Sequence, residues 1–295
     1  MARSSRFWIF LTFGLLVLAA IILLVSDLSR SRSVHFDATR AMNDAATQLA
    51  FGPRLPGSEA HRQTVEYILN ELELVGWQVE IQEGEVLGHP IRNIIARRGQ
   101  GTPWYILGSH YDSRMLADHD PDPAKQSQPV PGANDGAATT AILLELARVL
   151  PSDLNKQVWL VFFDAEDQGN IPGWDWILGS RYFAENLLGR PDGVVVVDMV
   201  GDADLQIYYE QNSTQSLSYS IWNVAIRAGF SQFIQQEKFS LIDDHIPFLQ
   251  RNIPATDLID FDYPYYHTTE DDLEKISEES LYAVGETLRL WLTNP

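Results

Sequence analysis

The sequence predicts an α/β fold: a central mixed, mostly parallel sheet flanked by helices on both faces, with an N-terminal transmembrane helix before it. Three observations predict it. The runs Trp104–Ser109, Val158–Phe163 and Gly193–Val197 are almost unbroken in apolar residues, as strands covered on both faces must be. They alternate with stretches of helical apolar spacing such as Thr139–Leu150. Each run also ends abruptly in residues that carry chemistry, and open α/β sheets bind ligands beyond the carboxyl ends of their strands.

Taken in order, Phe7 to Val25 is a stretch of 19 residues without a charge, preceded by Arg3 and Arg6. It is long enough to span a bilayer as a helix. No small-x-small cleavage pattern follows, so residues 1–28 read as an uncleaved signal anchor. The domain beyond it is expected outside the cytoplasm. Residues 29–36 read as a polar linker, and 37–295 as one large domain.

Ala38–Leu49 and Glu59–Leu74 have helical spacing, the second with Ser58 as its cap. Gln78–Val86 and Ile91–Ala96 read as an antiparallel pair turning through Gly88 at the sheet edge. Tyr111–Gln128 reads as a long polar rim. The small-residue turn Val130–Ala138 opens the Thr139 helix and sets Asp135 near its start. Ala255–Ile259 is a fourth strand, running on through Asp260 and Asp262 to His267. Ser218–Ala228 reads as a helix, Asp244–Arg251 as a short one positioning Asp243, and Ser277–Leu292 as a closing amphipathic helix.

The chemistry concentrates at the strand ends. Val158–Phe163 runs into Asp164-Ala165-Glu166-Asp167, three acids within four residues. Clustered carboxylates repel and lose hydration there, so a positive partner is expected. The other strand ends deliver His110, with Asp112 two residues on, and Asp198. Two histidines and several carboxylates, with no cysteine, suit zinc, with manganese or another first-row ion as the alternative. Calcium would not favour the imidazoles. Adjacent Glu166 and Asp167 divide naturally into a proton carrier and a metal ligand.

At these residues the chain resembles metallopeptidase family 28, which holds zinc aminopeptidases and the animal-type glutaminyl cyclases. The motifs occur in order: Gly108-Ser109-His110-Tyr111-Asp112, Gly132-Ala133-Asn134-Asp135, Glu166-Asp167, Val197-Asp198-Met199-Val200-Gly201, Asp243-Asp244-His245-Ile246-Pro247-Phe248 and Tyr266-His267-Thr268. For a cyclase the resemblance implies one zinc on Asp135, Asp167 and His267, with Glu166 moving the proton and Asp198 and Asp243 in an acidic network. For an aminopeptidase it implies two zinc ions, Asp135 bridging them, with His110 and Asp198 completing the second site. Most family members carry Glu where this chain has Asp167.

Three features resemble the cyclase branch: the doubled Asp243-Asp244, Trp174 at the spacing of the cyclases' pocket tryptophan, and Phe162-Phe163-Asp164 ahead of the acidic pair. Asp257 stands where animal cyclases have a functional His. Trp174, Tyr266 and Phe248 are the expected apolar wall of the substrate pocket. The substrate implied is a peptide or protein N-terminus. A third class, metal-free receptor ectodomains of the family, is disfavoured because every ligand position is filled.

The net charge of −19, from 40 acids against 21 Lys plus Arg, leaves no basic footprint for nucleic acid. An acidic site attracts a cationic N-terminus instead.

Overall fold

The computed structural model describes residues 35–293. The expected anchor, residues 7–25, lies outside the described residues; among those described, no helix is long and apolar enough to cross a membrane.

The chain begins with two helices, α1 (Ala38–Phe51) and α2 (Glu59–Leu74). Asp37 caps the first by accepting the Arg40 N–H, and Ser58 caps the second by accepting that of His61. A hairpin follows, β1 (Gln78–Val86) and β2 (His89–Arg98), antiparallel in unbroken register. Its two-residue turn has Leu87 and Gly88 both at positive φ, the backbone twist that such tight turns require.

Next come β3 (Trp104–His110), α3 (Thr139–Val149), β4 (Gln157–Phe163), α4 (Leu178–Asn186) and β5 (Gly193–Asp198). The chain continues through β6 (Ile207–Tyr209), α5 (Gln215–Ala228), β7 (Phe233–Glu237), α6 (Ile246–Gln250), β8 (Ala255–Ile259) and α7 (Glu278–Thr293).

The main sheet has the order β1-β2-β4-β3-β5-β8. β2 pairs antiparallel with β4, while β4–β3, β3–β5 and β5–β8 are parallel. The predicted mixed, mostly parallel sheet is therefore present, with the hairpin at its edge. A separate parallel pair, β6–β7, and helix α4 have no counterpart in the sequence reading.

Strand alternation explains why the central runs look uniformly apolar. Leu107, Leu160, Val195 and Val197 point into one core, with side chains of α1, α2, α3, α5 and α7. Ile106, Val161, Val194 and Val196 point to the other face, against Phe183 and Leu187 from α4 and its following turn, and Phe248 from α6. Each face has its own helical cover, so neither needs polar residues.

Candidate active site

Three parallel strands end side by side and deliver the site. The register that pairs Gly108 with Val196 continues two residues on to set His110 opposite Asp198, because side chains on one face recur every second residue. Nε2 of His110 lies 3.1 Å from Oδ1 of Asp198 and 3.0 Å from Oδ1 of Asp135. The other oxygen of Asp135 faces His267, 3.8 Å from its Nε2, and that nitrogen is 2.8 Å from Oδ1 of Asp167. Asp135 thus stands between two triads, His110–Asp135–Asp198 and Asp135–Asp167–His267, both buried.

The turn carrying Asp135 is held from three directions. Asp271 accepts the N–H groups of Asn134 and Asp135, at 2.8 and 3.2 Å, and a hydrogen bond from the Tyr263 hydroxyl. Asn134 donates to the carbonyl of Met199 and accepts the Gly201 N–H, tying the turn to the end of β5. Behind it, the fully buried Arg54 donates to the carbonyls of Tyr111, Pro131 and Gly132. Burial pulls the Arg54 guanidinium down to about 10, against the pull of Asp271, Asp112, Asp135 and Asp167. It therefore stays cationic at neutral pH behind an acidic centre.

The acidic turn after β4 is organised by Asp112, which accepts the N–H groups of Glu166 and Asp167 and the side-chain amide of Gln168. Asp164, the first of the three clustered acids, faces away from the others: it accepts from His61 at 2.7 Å and from the Arg92 N–H, on the side of a separate cavity of about 490 Å³. Ala165, Met199 and His267, each beside or within the site, adopt positive φ. Such backbone strain in residues other than glycine gathers where side chains must be aimed.

The predicted polar rim is more than a rim. Tyr111, Asp112, Ser113 and Arg114 are buried. Arg114 forms a two-pronged pair with Asp118 and donates to the carbonyls of Asp167 and Gly169. Asp118 in turn lies 3.5 Å from Nδ1 of His267. His267 therefore has ligand-type carboxylates on one nitrogen and an orienting carboxylate on the other, the arrangement found around metal-bound imidazoles.

The carboxyls strongly perturb one another. Burial, then Asp167, Asp244 and Asp243, push Glu166 well above the usual carboxylate range, against the pull of His110. Burial and the neighbouring Asp198 and Asp244 do the same to Asp243. Burial, then Asp135, lifts Asp167 to about 6, with His267 and Arg114 opposing. Burial pushes His267 down, but Asp167 and Asp118 outweigh it and hold it at about 9.

A cavity of about 250 Å³ opens onto these groups, lined by Asp135, Glu166, Asp167, Asp198 and Asp243 with an apolar wall. Of the three residues expected in that wall, Tyr266 is there. Phe248 is not: it is fully buried in the α4–α6 core against Phe163 and Phe183. Nor is Trp174, which stacks on His89 with ring centres 3.5 Å apart and packs beside Ile91 and Leu178. The wall tryptophan is Trp176, stacked parallel to His267 and under the Arg114 guanidinium. Gly169 leaves the room, since a Cβ there would meet the Trp176 ring.

The residues fit a zinc ion. Asp135 Oδ2, Asp167 Oδ2 and His267 Nε2 are buried with no hydrogen-bond partner among the described residues. Ligands 2.0–2.1 Å from a tetrahedral ion lie roughly 3.3 Å apart, between the spacings seen here. The donor set, imidazole nitrogen with carboxylate oxygen, is a zinc set.

Residues 93–292 match the sequence profile of peptidase family M28. A glutaminyl-peptide cyclotransferase of Drosophila melanogaster is 30% identical over 282 residues, covering 81% of this chain and 75% of the relative. The crystal structure of Porphyromonas gingivalis glutaminyl cyclase is similar with a TM-score of 0.83 and 32% identity, covering 87% of this chain and 98% of that one. A Zn-dependent exopeptidase from Parabacteroides distasonis gives 0.82 and 31%, covering 89% and 100%.

Proposed function

The chain belongs to peptidase family M28, and from that premise we propose that it is a zinc-dependent glutaminyl-peptide cyclotransferase. It converts the N-terminal glutamine of a peptide or protein to pyroglutamate with release of ammonia. The relatives named cyclotransferase and cyclase support this reading. The observation that carries it is the third carboxyl: Asp243 lines the same cavity as Glu166 and Asp198. Cyclisation moves a proton from the attacking amine to a leaving amide, and linked carboxyls give it a path; hydrolysis needs only a base beside a water.

Asp135, Asp167 and His267 would hold the zinc. Bound there, it supplies Lewis-acid polarisation of the glutamine γ-carbonyl. Glu166 takes a proton from the substrate's α-amine as that nitrogen bonds to the γ-carbon. It returns the proton to the amide nitrogen as the C–N bond breaks and ammonia leaves. Asp198 and Asp243 hold Glu166 and the leaving group by sharing protons with them. Trp176, Leu241, Ile259, Phe261 and Tyr266 line the cavity and keep water from competing with the amine.

Aminopeptidase activity is the second reading. The two-sided placement of Asp135 favours it, because His110 and Asp198 complete a second triad. A product assay separates the two. Incubated with a Gln-initiated and a Leu-initiated peptide, the protein is expected to remove ammonia from the first and leave the second intact. Release of a free amino acid from either sinks the cyclase reading. Glu166→Gln is expected to abolish turnover with zinc still bound.

Attachment to a membrane through residues 7–25 belongs to the same proposal. Carbonate extraction tests it: the 295-residue chain should stay with the membrane pellet, and its recovery in the supernatant would refute attachment.

A further inference from the structure

We propose that Asp243, His245 and Asp257 form a further divalent-cation site behind the catalytic wall, suited to zinc or manganese. Each offers a ligand atom, all within 4.8 Å of one another, and all three residues are buried. No ligand is shared with the two triads around Asp135. The site is built from other parts of the chain: Asp243 and His245 from the segment entering α6, and Asp257 from β8, opposite Val196 of β5.

The surroundings of His245 argue for a ligand and not a packed ring. Its Nε2 lies 3.2 Å from Oε2 of Glu210, and its Nδ1 lies 3.7 Å from Oδ2 of Asp257. Metal-bound imidazoles commonly have a carboxylate beside the nitrogen that does not bind the metal, and Glu210 stands in that place without a formed hydrogen bond. Glu210 is fixed there. It accepts the N–H and hydroxyl of Ser213, the N–H of Leu241 and the side-chain amide of Asn212.

Both oxygens of Asp257 and both ring nitrogens of His245 have no hydrogen bond among the described residues, although both side chains are fully buried. The 3.7 Å gap is too long for a hydrogen bond. It is close to the roughly 3.3 Å edge of a tetrahedron around an ion with 2.0–2.1 Å bonds. A buried carboxylate without donors is destabilising in an apolar interior, and a cation removes that penalty. One imidazole nitrogen and two carboxylate oxygens, with no sulfur, select zinc or manganese over calcium. An ion here would join the segment before α6 to β8 and take one oxygen of Asp243, leaving the other for the proton sharing proposed with Glu166.

The test is metal content and does not use the cyclase reaction, so it stands apart from the proposed function. The 295-residue chain and its Asp257→Asn and Asp135→Asn variants are saturated with Zn²⁺ or Mn²⁺, desalted and analysed by elemental mass spectrometry. Asp257→Asn should hold one equivalent fewer than the parent, and Asp135→Asn should keep that equivalent. Equal content in the parent and Asp257→Asn overturns the proposal and assigns the pocket to water or shared protons. Should Asp257→Asn fail to fold, Glu210→Gln serves. It keeps an acceptor for the imidazole but not the charge, and should weaken the last-bound equivalent about 10- to 100-fold in chelator competition. Unchanged affinity overturns the site as well.

Discussion

The carboxylate of Asp112 lies 3.4 Å from Nδ1 of His110 and also accepts the backbone N–H of Glu166 at 3.1 Å. One side chain therefore stands beside both the imidazole at the end of β3 and the main chain of Glu166 after β4. Asp112→Ala should lower kcat/KM at least about tenfold and weaken metal retention, as removing an orienting carboxylate does in other metal sites. It should also cost about 1–3 kcal/mol of stability through the amides left without an acceptor. Steady-state kinetics within twofold of the parent would show that Asp112 aims nothing.

Gly136 has an ordinary φ, yet a Cβ there would lie 2.6 Å from both Nε2 and the carbonyl oxygen of His110. The constraint here is space. Gly136→Ala should cost about 1–3 kcal/mol, as overpacking does, and should displace the imidazole from Asp135 and Asp198. Urea unfolding and kinetics on the same sample test this. A variant as stable and active as the parent would mean that His110 moves aside freely.

The two neighbouring tryptophans should behave differently. Trp176 lines the cavity and stacks on His267, whereas Trp174 stacks on His89 outside it. Trp176→Ala should reduce kcat/KM for a Gln-initiated peptide about tenfold, equivalent to about 1.4 kcal/mol of transition-state binding. Trp174→Ala should lower the unfolding midpoint with kinetics nearly unchanged. The reverse pattern would restore Trp174 to the substrate wall.

A loss of stability with rising pH should show at Asp260, which accepts the N–H groups of Gln206 and Asp262. Burial lifts its carboxyl from 3.8 to about 6, more than those two N–H groups lower it. A folded-state value above the unfolded one favours the protonated form. The group's contribution is therefore full below about pH 4 and lost as pH rises through about 6. The ceiling is about 3 kcal/mol. The stability gap between the parent and Asp260→Asn should shift against the parent across that window. A gap constant from pH 4 to 7 would refute the burial argument.

The parts of the site that sequence made visible were those fixed by strand geometry. His110, Glu166, Asp167 and Asp198 stand where apolar runs stop, and a strand end is legible because hydrophobicity changes there abruptly. Helices α1 and α2 were legible from spacing and from the Ser58 cap. The missed or misplaced parts depend on what a loop does in three dimensions. Trp174 and Trp176 are two residues apart in an irregular segment, where no period says which ring faces the cavity. Phe248 sits in a one-turn helix whose inward face is set by α4, itself unforeseen. Asp271 and Arg54 act on the Asp135 turn from 136 and 81 positions away. The only trace of Arg54 in the sequence is a lone charge within Gly52-Pro53-Arg54-Leu55-Pro56.

Arg54 is the strongest remaining test of how the centre is held. Its guanidinium spends its donors on main-chain carbonyls, so it acts as a clamp on three loop segments: residues 111, 131–132 and, at 3.4 Å, 135. It is also a buried positive charge facing four buried acids. Arg54→Lys keeps the charge but loses the fork, because one ammonium cannot reach acceptors arranged for a planar group. Arg54→Met loses both. If geometry dominates, the two variants should lose similar stability, about 3 kcal/mol or more, with similar loss of activity. If charge dominates, Arg54→Lys should retain most of both. The carbonyl contacts favour the first outcome, and paired urea melts with metal retention on both variants decide between them.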